Sequence, residues 1–138
     1  MKKFVKKLSL GILIATFVFS LVPAFAQASG VTVLTYNGTG IWSWRSVNSF
    51  EVSAANARRN HTLHHNQTRN TAHQNVSMEV IIFRSNAIGS ARAGSRWFTG
   101  NSSGTLTTSL EQGTHFLRFE ANQGGANTFN INGSVVRN

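Results

Sequence analysis

Val76-Ser-Met-Glu-Val-Ile-Ile-Phe-Arg84, Thr105-Leu-Thr-Thr-Ser-Leu110, His115-Phe-Leu-Arg-Phe-Glu120 and Phe129-Asn-Ile131 are four runs of alternating character within Asn75–Val136, separated by glycine-bearing stretches. A period of two residues is the pattern of a half-buried strand, and its recurrence predicts an antiparallel sheet. Val76, Met78, Val80 and Ile82 line one face of the first run. Ile81 and Phe83 are also apolar, so this strand is expected to be central and covered on both sides. His115, Leu117, Phe119 and Ala121 oppose Thr114, Phe116, Arg118 and Glu120. Gln112-Gly113 and Gln123-Gly-Gly125 read as turns, the second as a hairpin turn. Asn132-Gly133 fits a bulge inside one long last strand. Between the first two runs, Arg96-Trp-Phe98 reads as a short strand among glycines.

Upstream, Val31–Tyr36 is rich in β-branched residues and predicts a first strand. Asn37-Gly-Thr-Gly40 reads as a turn. In Ile41-Trp-Ser-Trp-Arg45 the two tryptophans are two residues apart and would share a face of a strand. Phe50, Val52 and Ala54 alternate with polar neighbours. Ala55–Gln74 holds Arg58, Arg59, Arg69 and four histidines (His61, His64, His65, His73), with Leu63 its sole large apolar residue. It carries no helical apolar stripe, and reads as one or two polar edge strands with a loop near Asn66–Asn70.

Residues 1–26 have a different character. Lys2, Lys3, Lys6 and Lys7 precede an apolar run from Leu8 to Val22, then Pro23 and small residues near Ala26. This predicts a secretory signal peptide, helical and cleaved, ahead of a single domain over 27–138. All four lysines lie in that leader. The remainder keeps nine arginines and four glutamates, a formal charge of +5, with neither lysine nor aspartate. The chain has no cysteine, which excludes disulfides, thiol catalysis and cysteine–zinc sites. Eight or nine short strands at turn spacings of roughly ten residues predict an all-β fold, an antiparallel, jelly-roll-like β-sandwich.

Thr105–Val136, with Gly113-Thr-His-Phe-Leu-Arg-Phe119 and the closing Phe129-Asn-Ile-Asn-Gly-Ser-Val135, resembles the last strands of the pre-peptidase C-terminal type of bacterial β-sandwich. The layout of residues 27–138 is similar to that of small secreted β-sandwich proteins of bacilli. The resemblance covers about the last third of the domain. It implies a fold of the carbohydrate-binding-module kind that binds rather than catalyses. Many such domains hold calcium through aspartates, which this chain lacks, and no catalytic residue carries over.

The sequence itself also favours binding over catalysis. There is no Gly-x-Ser-x-Gly elbow, and the acid of any triad would have to be a glutamate. Glu51, Glu79 and Glu120 sit on the less apolar faces of their strands, the one arrangement here that a carboxylate pair could use. Histidines His61 and His65 share a strand face and are the candidates for adventitious metal binding, with no acidic ligand nearby. No cofactor is implied. Trp42, Trp44 and Trp97 are the candidate stacking platform, since an indole offers a large apolar ring and a polar N–H. Arg45, Arg58, Arg59 and Arg96 are the candidate partners for anionic groups. The expectation is a non-enzymatic, secreted extracellular protein that binds a cell-wall or extracellular polyanion, an anionic polysaccharide foremost. A cationic antimicrobial protein acting on an anionic membrane surface is the alternative. Nucleic acid is not expected as a partner. Six Asn-x-Ser/Thr sequons occur, but the bacterial character of the leader argues against glycosylation.

Overall fold

The computed structural model describes residues 30–72, 75–122 and 124–138. The leader, His73 and Gln123 lie outside the described residues. Nine strands follow in order: β1 (Val31–Ile41), β2 (Ser43–Arg45), β3 (Phe50–Val52), β4 (Asn60–Arg69), β5 (Ser77–Asn86), β6 (Gly89–Thr99), β7 (Ser102–Ser109), β8 (Gly113–Ala121) and β9 (Phe129–Arg137). Among the described residues, helix is confined to two single 3-10 turns, Ala54–Asn56 and Gly124–Ala126.

The strands form two antiparallel sheets packed face to face. One has the order β1-β9-β4-β7; the other has β2-β8-β5-β6, with β3 beside β2 on the same edge of β8. The pairing is nested: β1 with β9, β2 and β3 with β8, β4 with β7, and β5 with β6. The chain is therefore one long ribbon, doubled back at the β5–β6 hairpin and rolled so that successive pairs fall on alternate sheets. This is the jelly-roll form of the β-sandwich. Both ends of the ribbon meet, since Val31 pairs with Arg137 and the Asn138 N–H donates to the Asn60 carbonyl.

Strand alternation fills the space between the sheets. Leu34, Leu63, Phe129, Ile131 and Val135 face Phe50, Val52, Met78, Val80, Ile82, Phe98, Leu117 and Phe119, and all are buried. Each contributes about 2 kcal/mol by leaving water. One edge of the sandwich, between β6 and β7, is closed by side chains. The Arg96 guanidinium donates to the Thr105 carbonyl and lies over the Phe98 ring at 5.1 Å, and the Thr108 hydroxyl donates to the Ala93 carbonyl.

Several local expectations are corrected. The polar tract does not form an edge: β4 lies inside its sheet, between β9 and β7, and runs unbroken to Arg69. Its inward positions are His61, Leu63, His65 and Gln67, so a period of two is present, with polar side chains in apolar places. The expected turn at Asn37–Gly40 is strand, absorbed as a bulge of β1 against β9 between Gly38 and Ile41, with Gly40 at a positive φ of 66°. A second bulge falls between Thr32 and Leu34, while β9 runs straight through Asn132-Gly133. Arg96–Phe98 belongs to the eleven-residue β6. The segments after β7 and β8 are not hairpin turns, because each carries the chain from one sheet to the other.

Candidate functional site

The outer face of the five-stranded sheet is built by register. Trp97 on β6 stands beside Glu79 on β5, which stands beside Glu120 on β8 and then Ser43 on β2. The next row is Ser95, Ile81, Arg118 and Arg45, and the one after it holds Arg92, Phe83 and Phe116. Ile81 and Phe116 are nearly closed to solvent although they point away from the core. Phe83 and Phe116 stack at 5.5 Å, and the Arg45 guanidinium lies 3.8 Å above the Phe116 ring. The Arg45 guanidinium thus covers the stacked Phe83–Phe116 pair through a cation–π contact.

The two carboxylates are held in that lattice by arginines. Glu79, almost buried, accepts from Arg92, whose guanidinium also reaches Ser95. Glu120 pairs with Arg118 at 2.6 Å. Trp97 is 52% exposed at the β6 border of this face. Three strand spacings of about 4.8 Å separate it from the β2 border, so the face is about 14 Å wide.

The seven ligand-binding candidates do not form one patch. Arg45 and Trp97 share this outer face. Trp44 is half-buried and stacks on Phe119 at 5.4 Å, packing against the core. Trp42, 48% exposed, lies at the break between β1 and β2 beside Gly125, at the same end of the sandwich as Trp97. Arg96 is the edge closure described above. Arg58 and Arg59 lie at the opposite end, bonded through their backbones to Leu110, with Arg58 paired to Glu111 at 3.4 Å. Arg58 also takes a positive φ of 62°. Sequence periodicity showed that Arg118, Glu120 and Glu79 face outward. What it lacked was the pairing of β5 with β8, which makes the two glutamates neighbours.

His61 and His65 both point inward, and each is already engaged. His61 donates from Nδ1 to the Arg59 carbonyl at 3.0 Å. His65 sits between Tyr36 Oη (2.8 Å from Nδ1) and Gln67 Oε1 (3.0 Å from Nε2). The Gln67 amide spends both protons on the Phe98 and Gly100 carbonyls, at 3.0 and 2.8 Å. Its oxygen must then accept, so His65 carries its proton on Nε2 and receives the Tyr36 hydroxyl at Nδ1. Burial holds His61, His65 and His115 below the usual histidine range, partly opposed by their hydrogen bonds; Arg137 adds to the effect at His61. The Tyr36 hydroxyl is pushed far up by burial. Among the described residues no group of three or more histidine or acidic side chains is placed to hold a metal ion. No protein-family model matches this chain. No curated protein matches it either.

Proposed function

We propose that this is a secreted, non-catalytic binding protein whose ligand is an anionic polysaccharide of the cell envelope or the extracellular matrix, held on the outer face of the five-stranded sheet. The observation that carries this reading is the half-exposed Trp97 indole at the border of an open sheet face that carries Arg45, Arg92 and Arg118. A sugar ring stacks on an indole, and guanidinium groups pair with carboxylate or sulfate substituents. An open face suits a polymer laid along it, whereas a small substrate is usually enclosed in a cavity of about 300–1,000 Å³. The net positive charge left after the glutamates are paired draws polyanions at long range. The resemblance of Thr105–Val136 to binding-type sandwiches points the same way.

The test is retention on immobilised acidic polysaccharides, with neutral polysaccharides as controls, across a salt gradient. Retention that weakens with salt is expected. Trp97→Ala together with Arg118→Gln should lower affinity by tenfold or more, while Arg59→Gln, at the far end, should change it little. Equal retention of wild type and the double variant would remove this face as the site.

A further inference from the structure

A second place, a half-open pocket, lies at the opposite end, between the sheets and under the β5–β6 hairpin. It is a pocket of about 210 Å³ bordered by Arg84, Arg92, Ser109, Glu111 and His115. Register sets its two principal groups side by side, since Arg84 on β5 pairs with His115 on β8. Both lie on the inward face of their strands, in line with Ile82 and Leu117. Arg84 is half-buried there, and a guanidinium on the core side of a central strand is unusual, because withdrawing a cation from water is costly unless it is paired.

Among the described residues Arg84 has no such pair. Its Nε is fully buried and without a hydrogen-bond partner, and so is His115 Nε2. The other charges nearby are committed elsewhere. Glu111 on the rim is engaged by Arg58, and the Arg92 guanidinium turns outward to Glu79 and Ser95. Glu51 accepts from the Thr114 hydroxyl at 2.6 Å, and His61 bonds the Arg59 carbonyl. His115 Nδ1 is 2.9 Å from the Gly113 carbonyl and must carry a proton, which leaves Nε2 as a bare lone pair in the neutral ring. The pocket therefore combines one uncompensated positive charge with a nitrogen that becomes a second donor on taking up a proton.

We propose that this pocket binds a small oxyanion, a carboxylate or phosphate group, on the Arg84 guanidinium, with His115 protonating at Nε2 as the anion enters and the Ser109 hydroxyl in reach at the rim. In the free protein His115 stays neutral because burial, Arg84 and His61 all disfavour its charge, against the Gly113 bond and Glu51, which favour it. An anion reverses the sign of the field from Arg84. Binding then takes up as much as one proton, and affinity rises as pH falls, by as much as tenfold per pH unit.

The experiment is a titration of the protein with inorganic phosphate and with acetate at pH 8 and pH 6. Potassium chloride is the control, and the imidazole nitrogens of His115 are followed by NMR. The expected result is saturable binding, tighter at pH 6. The Nε2 resonance should move from the unprotonated to the protonated position, and affinity should fall tenfold or more in Arg84→Met. Glucose 6-phosphate and glucuronate separate the sources. Equal affinity for these and the free ions identifies a free anion as the ligand, and tighter binding identifies an anionic sugar end. If the His115 resonances respond to phosphate and acetate no more than to chloride, the site is an adventitious ion contact only, and the proposal fails. It fails equally if a folded Arg84→Met binds as the wild type does. The NMR arm on the wild type decides the matter even if Arg84→Met does not fold. The outcome is independent of whether Trp97 binds a polymer.

Discussion

Gln67 holds two sheets together with one side chain. It springs from β4 in one sheet and its amide caps two carbonyls at the end of β6 in the other, while its oxygen fixes the tautomer of His65 and, through it, the direction of the Tyr36 hydroxyl. Every donor and acceptor along this line is used, and that is the condition under which a polar chain stabilises a core. Gln67→Leu strands the His65 N–H and two carbonyls in an apolar interior. It should lower unfolding free energy by about 2–4 kcal/mol. Tyr36→Phe leaves one imidazole lone pair unmet and should lower it by about 1–2 kcal/mol. Urea unfolding of both variants checks the order; a Gln67→Leu midpoint equal to wild type would show that the chain contributes nothing. None of this was legible beforehand. A histidine–leucine–histidine–glutamine alternation has the right period, but polar residue types at core positions look like solvent-facing ones until their partners are known.

The same limit governs the elements. Strands with apolar alternation, such as β5 and β8, were legible in position, facing and the centrality of β5, because burial of every second residue leaves a periodic mark. Turns were not, since a glycine marks chain reversal, a bulge or a close approach with the same residue type. At Asn132-Gly133 the expected bulge is absent and the strand runs straight: a side chain on Gly133 would run into the His64 carbonyl on β4 and the Tyr36 ring on β1. Gly133→Ala forces β9 away from a neighbour on each side and should cost about 1–3 kcal/mol. Gly40→Ala meets open space and is strained only by its positive φ, so it should cost about 1 kcal/mol. Thermal unfolding should place Gly133→Ala below Gly40→Ala; the reverse order would contradict the packing at β9. The candidate site was legible only in pieces. The tryptophans and arginines were identifiable by type, but their distribution over two edges and two ends depends on strand pairing, which no local pattern encodes.

At the scale of the whole molecule, three neutral imidazoles are folded into a domain without cysteine. In the unfolded chain they titrate near pH 6.5, and in the folded one burial holds all three lower. The unfolded state therefore binds more protons as pH falls through about 6.5, and stability is fully present above that point and lost below it. Each histidine contributes a slope of about 1.4 kcal/mol per pH unit until its folded value is reached. Urea midpoints at pH 7.5 and pH 5.0 should differ clearly, with the acid value lower. A midpoint that rises or stays level on acidification would show that these rings are not kept neutral by the fold. The long-range nesting of pairs, with only β5 and β6 bonded as sequence neighbours, belongs to this scale as well. It is why composition and periodicity led to a sandwich without specifying which strand lies beside which.

Because Val31 lies against Arg137, both ends of the described ribbon of strands sit together at the end of the sandwich remote from Trp97. A label placed at Arg137, which pairs with His61, stands beside Arg59 and at the other end of the sandwich from Trp97. A fluorescent reporter could be attached there without shading the outer face of the five-stranded sheet.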